Sequence, residues 1–188
     1  MPHGVAIALT IWLSGSDRSG GDAHGSFTHV RSTVAYMRTL IRDGYNRSPT
    51  FQDLVETLQR TNVIVLVQPG LCAGGRIRSC LVSVAGSVSE RHIRIKVDPQ
   101  HTIRDRLVAT IAHELQHAVE IAEHVDVIDS DGVLRLYRRL SMDRCRQGLS
   151  EECETERAQA TEQKVLKELA APPFRLPRHF DADKAAAR

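Results

Sequence analysis

The segment from Ile103 to Ala122 constrains the fold more than any other part of this chain, because its apolar residues repeat at helical spacing. On a helical wheel of ~100° per residue, one set of these residues lies within about 40° of a single line. The set is Leu107, Ile111, Leu115, Ala118 and Ala122. The pattern predicts a long amphipathic helix that packs one face against the core.

The same segment carries a His-Glu-x-x-His motif formed by His113, Glu114 and His117. On the wheel the histidines lie about 40° apart, one turn from each other and roughly opposite the apolar line. Both imidazoles can therefore meet one ion, and neutral imidazole nitrogen is a ligand that suits zinc. Glu114 projects beside the pair, where its carboxylate can reach a metal-bound water. The motif predicts zinc ligation by His113 and His117 and a catalytic role for Glu114.

A catalytic zinc normally takes three protein ligands, so the motif requires a third one from elsewhere. An unbroken helix would carry His124 about 10 Å along the axis from His117, which is too far. The extended three-histidine motif is excluded, because Glu120 stands in place of its glycine and Glu123 in place of its last histidine.

A better source is the later helix that we predict from Ser150 to Leu169, which offers Glu152, Glu154 and Glu156. Glu154 shares a helix face with small and apolar residues that we expect to pack inward. Glu156 continues into a polar face that we expect to be solvated. We therefore predict Glu154 as the third ligand, with Glu152 and Glu156 as alternatives.

These two segments, AHELQHAVE (Ala112 to Glu120) and ETERA (Glu154 to Ala158), resemble the gluzincin clan of zinc metallopeptidases. More narrowly, they look like a group of small bacterial proteins that begin with an export signal. The likeness covers residues 103 to 169, about a third of the chain. It implies His113, His117 and Glu154 as zinc ligands and Glu114 as the general base of peptide-bond hydrolysis.

The chain departs from the thermolysin-like form of that clan in the second segment. The pattern Asn-Glu-x-x-x-Asp is absent, because Cys153 precedes Glu154 and Ala158 stands where the Asp would fall. This departure bears on the identity of the third ligand, for which Glu152 and Glu156 remain the alternatives to Glu154.

The resemblance implies an α+β fold, a minimal zincin-like domain with a small antiparallel or mixed sheet followed by the active-site helix and a Glu-bearing helix. Three strand-like runs do precede the motif: Val63 to Val67, Leu81 to Ala85 and Ile93 to Val97. The families that this chain resembles hold an extended peptide along an edge strand, and we expect Ile93 to Val97 to be that strand.

Other helices are predicted from periodicity and from capping residues. Val30 to Ile41 repeats apolar residues at helical intervals, with Gly44 as its C-terminal cap. A second helix has Ser48 as N-cap and Pro49 at its first position. Its buried stripe is Phe51, Leu54, Val55 and Leu58. A short helix is expected from Val133 to Leu140.

The N-terminus resembles a secretory signal, since the apolar run Val5 to Leu13 is followed by small residues and is too short to span a bilayer. We assign residues 1–22 to a signal peptide or flexible start, 27–171 to a single domain and 172–188 to a flexible tail. This predicts a secreted or periplasmic protein without a stable membrane span. The alternative is a cytoplasmic protein in which the apolar run is a buried strand or helix.

The chain has four cysteines in two equally spaced pairs, Cys72 with Cys80 and Cys145 with Cys153. An even count suits disulfides, and a bridge between Cys72 and Cys80 would close a hairpin. Zinc sites made of cysteine usually pair residues two to four positions apart, which neither pair does. Unlinked thiols in a cytosolic protein are the alternative.

The net charge of +2 gives no strong field toward nucleic acid or an anionic membrane. The resemblance to metallopeptidases implies a peptide or protein substrate. A basic run from Arg135 to Arg146 keeps a nucleic-acid binder as an alternative, and a catalytically inactive zincin-fold binding protein with a structural or vestigial metal is another. For the oxyanion donor, Tyr137, His92 and His101 remain open.

Overall fold

The computed structural model describes residues 27–72, 75, 77–100, 102–140 and 153–171. Within these residues the chain forms five helices and one mixed four-stranded sheet, which confirms the predicted α+β class. The strands are β1 (Val30–Arg31), β2 (Val63–Pro69), β3 (Ser79–Gly86) and β4 (Arg91–Val97). The helices are α1 (Ala35–Arg47), α2 (Pro49–Gln59), α3 (Arg104–Ala122), α4 (Ser130–Leu140) and α5 (Glu156–Ala170).

Several predictions fall on residues outside the described ranges. They concern the N-terminal segment 1–22, the tail 172–188, His101, Cys145 and Glu152.

The sheet has the strand order β1-β2-β4-β3, in which β1, β2 and β4 are parallel and β3 is antiparallel to β4. The three predicted strands are therefore confirmed. The expectation that Ile93 to Val97 forms an edge is wrong, because β4 pairs with β2 on one side and β3 on the other. Among the described residues, β3 is the edge strand next to the motif helix.

Helix α3 is confirmed, but its predicted amphipathic character is wrong: every residue from Leu107 to Ile121 is buried. The reason is that α3 lies in the middle of the domain, with β2, β3 and β4 on one side and α1, α2 and α5 packed against the rest of its surface. Polar side chains on α3 are consequently removed from water and need partners within the protein.

Helix α1 begins after the short strand β1 and runs through Gly44 to Arg47, so the prediction of a helix from Val30 with Gly44 as C-cap is wrong. A Cβ atom at position 44 would lie 2.7 Å from the Phe51 ring and 2.8 Å from Val108 Cγ1. Gly44 is therefore a close-packing residue where α1 meets α2 and α3, and no cap is needed to explain it.

Helix α2 matches its prediction closely. Ser48 is the N-cap, its hydroxyl accepting from the Phe51 backbone N–H at 3.1 Å, and Pro49 is the first helical residue. The stripe of Phe51, Leu54, Val55 and Leu58 is buried as expected.

The C-terminal end of α3 is fixed by Arg91, a fully buried arginine at the start of β4 that the sequence reasoning did not single out. Its guanidinium donates to the carbonyl oxygens of Ile121 and His124 at 2.8 Å each and to Asn62 Oδ1 at 2.7 Å. These bonds satisfy carbonyls that a helix end leaves unpaired. They also hold the motif helix in register with the sheet.

Helix α4 confirms the short helix predicted from Val133. Helix α5 begins at Glu156 with Thr155 as its N-cap, which is later than the predicted start at Ser150. Glu154 consequently lies in the segment that leads into the helix and not on the helix itself, a correction to the periodicity argument.

Cys72 and Cys80 form the predicted disulfide, which closes the segment between β2 and the start of β3. Cys153 is also disulfide-bonded, and its predicted partner Cys145 lies outside the described residues. None of the helices in the described ranges has the length and apolar character needed to cross a bilayer.

Candidate metal centre

The side chains of His113, His117 and Glu154 converge, as the sequence predicts. One potential ligand atom from each lies within 4.8 Å of the other two. Tetrahedral zinc with bonds of roughly 2.1 Å places its ligands about 3.4 Å apart, so small side-chain rotations would close this set around an ion. The two histidines come from consecutive turns of α3, and the carboxylate comes from the segment just before α5.

The set contains polar atoms that the described residues leave without a partner. Glu154 Oε2 is buried and has no hydrogen bond among the described residues, although it approaches His113 Nε2 to 3.2 Å. That approach lies outside hydrogen-bonding geometry, so we regard it as proximity of two atoms that face a common point. A buried carboxylate oxygen without a donor is costly, and a cation at this point would satisfy it.

The electrostatics of His113 also favour a positive charge here. Burial lowers the pKa of His113, but the neighbouring carboxylates of Glu154, Glu162 and Glu114 outweigh it and raise the pKa to about 10. For Glu154, burial raises the pKa, but contact with His113 and the charge of His117 outweigh burial. The pKa of Glu154 is therefore lowered below its ordinary value. The donor set and its surroundings therefore fit a divalent cation bound by two imidazoles and one carboxylate.

Glu162 is a member of this site that the sequence reasoning missed. Its Oε2 lies 3.5 Å from Nδ1 of His113, on the ring nitrogen that does not face Glu154. This nitrogen has no hydrogen-bond partner among the described residues, but the nearby Glu162 carboxylate helps to raise the pKa of His113. Glu162 lies on α5 four residues after the buried Ala158. Only its position one turn along α5 from Ala158 could have pointed to it.

His117 is oriented from its own helix and from α4. Its Nδ1 lies 3.0 Å from Glu120 Oε2, and its ring packs edge-on against Tyr137 with centroids 5.1 Å apart. The Tyr137 hydroxyl donates to the His117 backbone oxygen at 3.3 Å. Burial, and then the charges of Glu120, Glu114 and Glu154, raise the pKa of Tyr137 well above its ordinary value, so the phenol stays protonated.

Glu114 is buried next to the candidate ligands and contacts the edge strand. The hydroxyl of Ser79, at the start of β3, donates to Glu114 Oε1 at 2.6 Å. Ser79 was not singled out from the sequence, since nothing local marks a serine that meets the motif helix. Its bond occupies Oε1 of Glu114 and not Oε2.

Other candidate residues lie away from the ligand set. Glu156 is exposed on the first turn of α5, and His124 follows the end of α3 outside the group that could hold a metal. His92 pairs with Glu90 and is opposite Ala85 in the sheet, near the end of β3 remote from Ser79. At ~3.3 Å per residue, this end of β3 is about 20 Å from Ser79.

The described arginines of the basic run, Arg135, Arg138 and Arg139, are exposed on α4. A cavity of about 420 Å³ lies between α2, α3 and α5, but His113, His117 and Glu154 do not line it. Because none of the convergent ligand atoms lies in its walls, we place the chemistry at the ligand set and not in this cavity.

Comparison of the chain with protein-family models finds no match. Comparisons with curated proteins and with solved structures find no match either. The likeness to gluzincins therefore rests on the residue pattern alone.

Proposed function

We propose that this protein is a zinc-dependent hydrolase, and specifically a metallopeptidase of the gluzincin type. The observation that carries the proposal is the convergence of His113, His117 and Glu154 within 4.8 Å, with Glu114 buried beside them. Two neutral nitrogens and one carboxylate are the ligand set of a catalytic zinc site that leaves a position open.

Zinc held by these residues supplies Lewis-acid polarisation of a water molecule and of the scissile carbonyl. Glu114 accepts the proton of the attacking water and then delivers it to the leaving amine. Ser79 assists by holding one oxygen of Glu114 at 2.6 Å, so that the other oxygen can face the reacting water. The protonated phenol of Tyr137 is a neutral donor near the site, but its bond to the His117 carbonyl argues for a structural part.

An extended peptide would add to the sheet along β3, which replaces β4 as the proposed substrate strand. Ser79 brings the start of β3 against Glu114, and the far end of the strand is already bridged, Ala85 to Asp129. The backbone between these two points is the stretch on which an added strand would lie beside the catalytic carboxylate.

We further propose that the protein is exported, to the periplasm or outside the cell. The Cys72–Cys80 disulfide and the disulfide-bonded Cys153 support this, because disulfides persist in oxidising compartments.

Metal analysis of the purified full chain tests the ligand set. We expect one zinc per chain in the wild type, loss of zinc in His113→Ala and Glu154→Ala, and retention in Glu156→Ala. Glu156 is the matched control, because it is an exposed glutamate two positions from Glu154. Zinc retained in Glu154→Ala would show that the third ligand is wrongly assigned.

Hydrolysis of a peptide library by Glu114→Gln tests the catalytic step. We expect the variant to keep zinc and to lose about 10²- to 10⁴-fold in rate, the range for removal of a general acid-base group. Zinc binding with no hydrolysis by the wild type would instead favour the inactive binding protein with a structural metal.

A further inference from the structure

Glu120 is a buried carboxylate that joins the two segments carrying the proposed metal ligands. It lies on α3 three residues after His117 and is 1% exposed. An ionised carboxylate this far from water is tolerated only when its oxygens are bonded. One oxygen, Oε2, lies 3.0 Å from His117 Nδ1, and the other, Oε1, accepts from the Thr155 hydroxyl at 2.7 Å.

The contact to His117 determines which ring nitrogen can bind a metal. A carboxylate oxygen accepts hydrogen bonds, so the proton of neutral His117 resides on Nδ1. The lone pair is then on Nε2, the nitrogen away from Glu120. Glu120 thus selects the tautomer of His117 that can act as a ligand.

The contact to Thr155 determines where the third ligand lies. Thr155 directly follows Glu154 and is the N-cap of α5, its hydroxyl accepting from the Ala158 backbone N–H at 3.1 Å. The Thr155 hydroxyl donates a hydrogen bond to Glu120, and its oxygen accepts one from the first turn of α5. The backbone next to Glu154 is therefore tied both to α3 and to the first turn of α5.

We propose that Glu120 is a positioning residue that assembles the metal site, by holding His117 and the Glu154-bearing segment in register through its two oxygens. The role rests on the proposed metal site and adds to it a residue that neither ligates the ion nor touches the substrate. Its loss displaces two of the three ligands at once.

A purely structural part in joining α3 to α5 is the competing explanation, and the molecule contains a matched control for it. The Thr161 hydroxyl of α5 donates to Gln116 Oε1 of α3 at 3.2 Å, and both residues are buried. This bond links the same two helices through the same kind of side chain as Thr155 to Glu120, but it ends on no proposed ligand.

The experiment uses the full chain as wild type, Glu120→Ala, Glu120→Gln, Thr155→Val, Thr155→Ser and Thr161→Val. For each apoprotein, denaturant unfolding gives the stability, and competition with a chelator gives the dissociation constants for Zn²⁺ and Co²⁺. The Co²⁺ absorption bands report the ligand geometry independently of activity.

We expect Glu120→Ala to weaken metal binding about 10- to 100-fold, the range for loss of an outer-sphere partner, and to alter the Co²⁺ bands. Thr155→Val weakens metal binding less, because His117 keeps its contact with Glu120. This variant tests the positioning role if Glu120→Ala does not fold. Glu120→Gln falls between wild type and Glu120→Ala, since the amide oxygen can still accept from His117. Thr155→Ser retains wild-type affinity.

Wild-type affinity and bands in both Glu120→Ala and Thr155→Val would overturn the positioning role while leaving the metal site intact. If Thr161→Val weakened metal binding as much as Thr155→Val does, the role of Glu120 would be only to link the two helices. A wild type that binds neither metal would overturn both the site and the role, which separates failure of the proposed function from failure of this inference.

Discussion

The starts of α2 and α5 use the same hydrogen-bonding arrangement in two different settings. Each helix begins with a hydroxyl N-cap, Ser48 or Thr155, that accepts from the backbone N–H three residues later at 3.1 Å. Each hydroxyl also donates to a glutamate on another helix, Ser48 to Glu168 at 2.5 Å and Thr155 to Glu120 at 2.7 Å.

The two arrangements differ in the burial of the glutamate and in its second partner. Glu168 is half-buried and uses its other oxygen on the Thr50 hydroxyl at 2.6 Å, which completes a structural joint between α5 and α2. Glu120 is 1% exposed and uses its other oxygen on His117. The comparison teaches that the cap alone does not mark a site. What distinguishes the α5 start is that the glutamate bonded to its cap is buried and also contacts an imidazole.

The largest difference between the two starts is expected in the pair Thr155→Val and Ser48→Ala. Loss of a cap lowers the free energy of unfolding by ~1 kcal/mol in both. Thr155→Val also leaves a buried oxygen of Glu120 unpaired, which brings its total to about 2–3 kcal/mol, whereas water can reach Glu168. Denaturant unfolding of the two apoproteins measures this, and equal losses would remove the distinction that we draw between them.

A smaller effect is expected when the pH is varied for Glu168→Gln. Burial raises the pKa of Glu168, but bonds from Ser48 and Thr50 lower it below its ordinary value as the net effect. A depressed folded-state pKa stabilises the protein above the unfolded-state pKa of about 4.3, and the contribution is lost as the pH falls through the folded value.

At pH 7 we therefore expect Glu168→Gln to be less stable than wild type by at most about 1 kcal/mol, because solvent screens this half-buried group. Unfolding curves collected from pH 7 down to pH 3 should show the two proteins converging in acid. A difference that stays constant over this range would mean that the charge of Glu168 does not contribute.

The smallest effect is expected for Arg157→Ala, on the outer side of the α5 start. Arg157 donates to both oxygens of Glu123 at 2.7 and 2.9 Å, but the side chains are 56% and 48% exposed. Exposed pairs of this kind contribute roughly 0–1 kcal/mol and are screened by salt. We expect the free energy of unfolding to fall by about 0.5 kcal/mol at low salt and the difference to fade in 1 M NaCl. A larger loss that salt does not change would show that this outer contact is as important for stability as the buried contact of Glu120.

The parts of the fold that depend on local chemistry were predictable from the sequence. Ser48, Pro49 and the apolar stripe of α2 act within one helix, so capping and periodicity were enough to define it. Strand order was not predictable, since the pairing of β4 with β2 joins residues about thirty positions apart that no local pattern links. Gly44 was misread for the same reason, because the side chains that require glycine belong to other helices.

The candidate site divides in the same way. The positions of His113, Glu114 and His117 followed from helical geometry, and the predicted Glu154 lies in the group that could hold a metal although it precedes α5. Ser79 and its contact with Glu114 depend on which strand lies at the edge and could not be inferred. The sequence does show a glutamate one helical turn after His117, at position 120. Its role depends on its burial and on its contact with Thr155, which the sequence does not show.

The complete burial of α3 has a consequence for how the molecule opens. Amide protons in the middle of this helix reach solvent only when most of the domain unfolds, since strands and helices enclose it. Glu154 lies outside this helix, and its side chain is 44% exposed although its neighbours Cys153 and Thr155 are buried. The two imidazoles therefore lie on the helix whose amides we expect to exchange most slowly, and the carboxylate is the member of the ligand set that solvent reaches from outside.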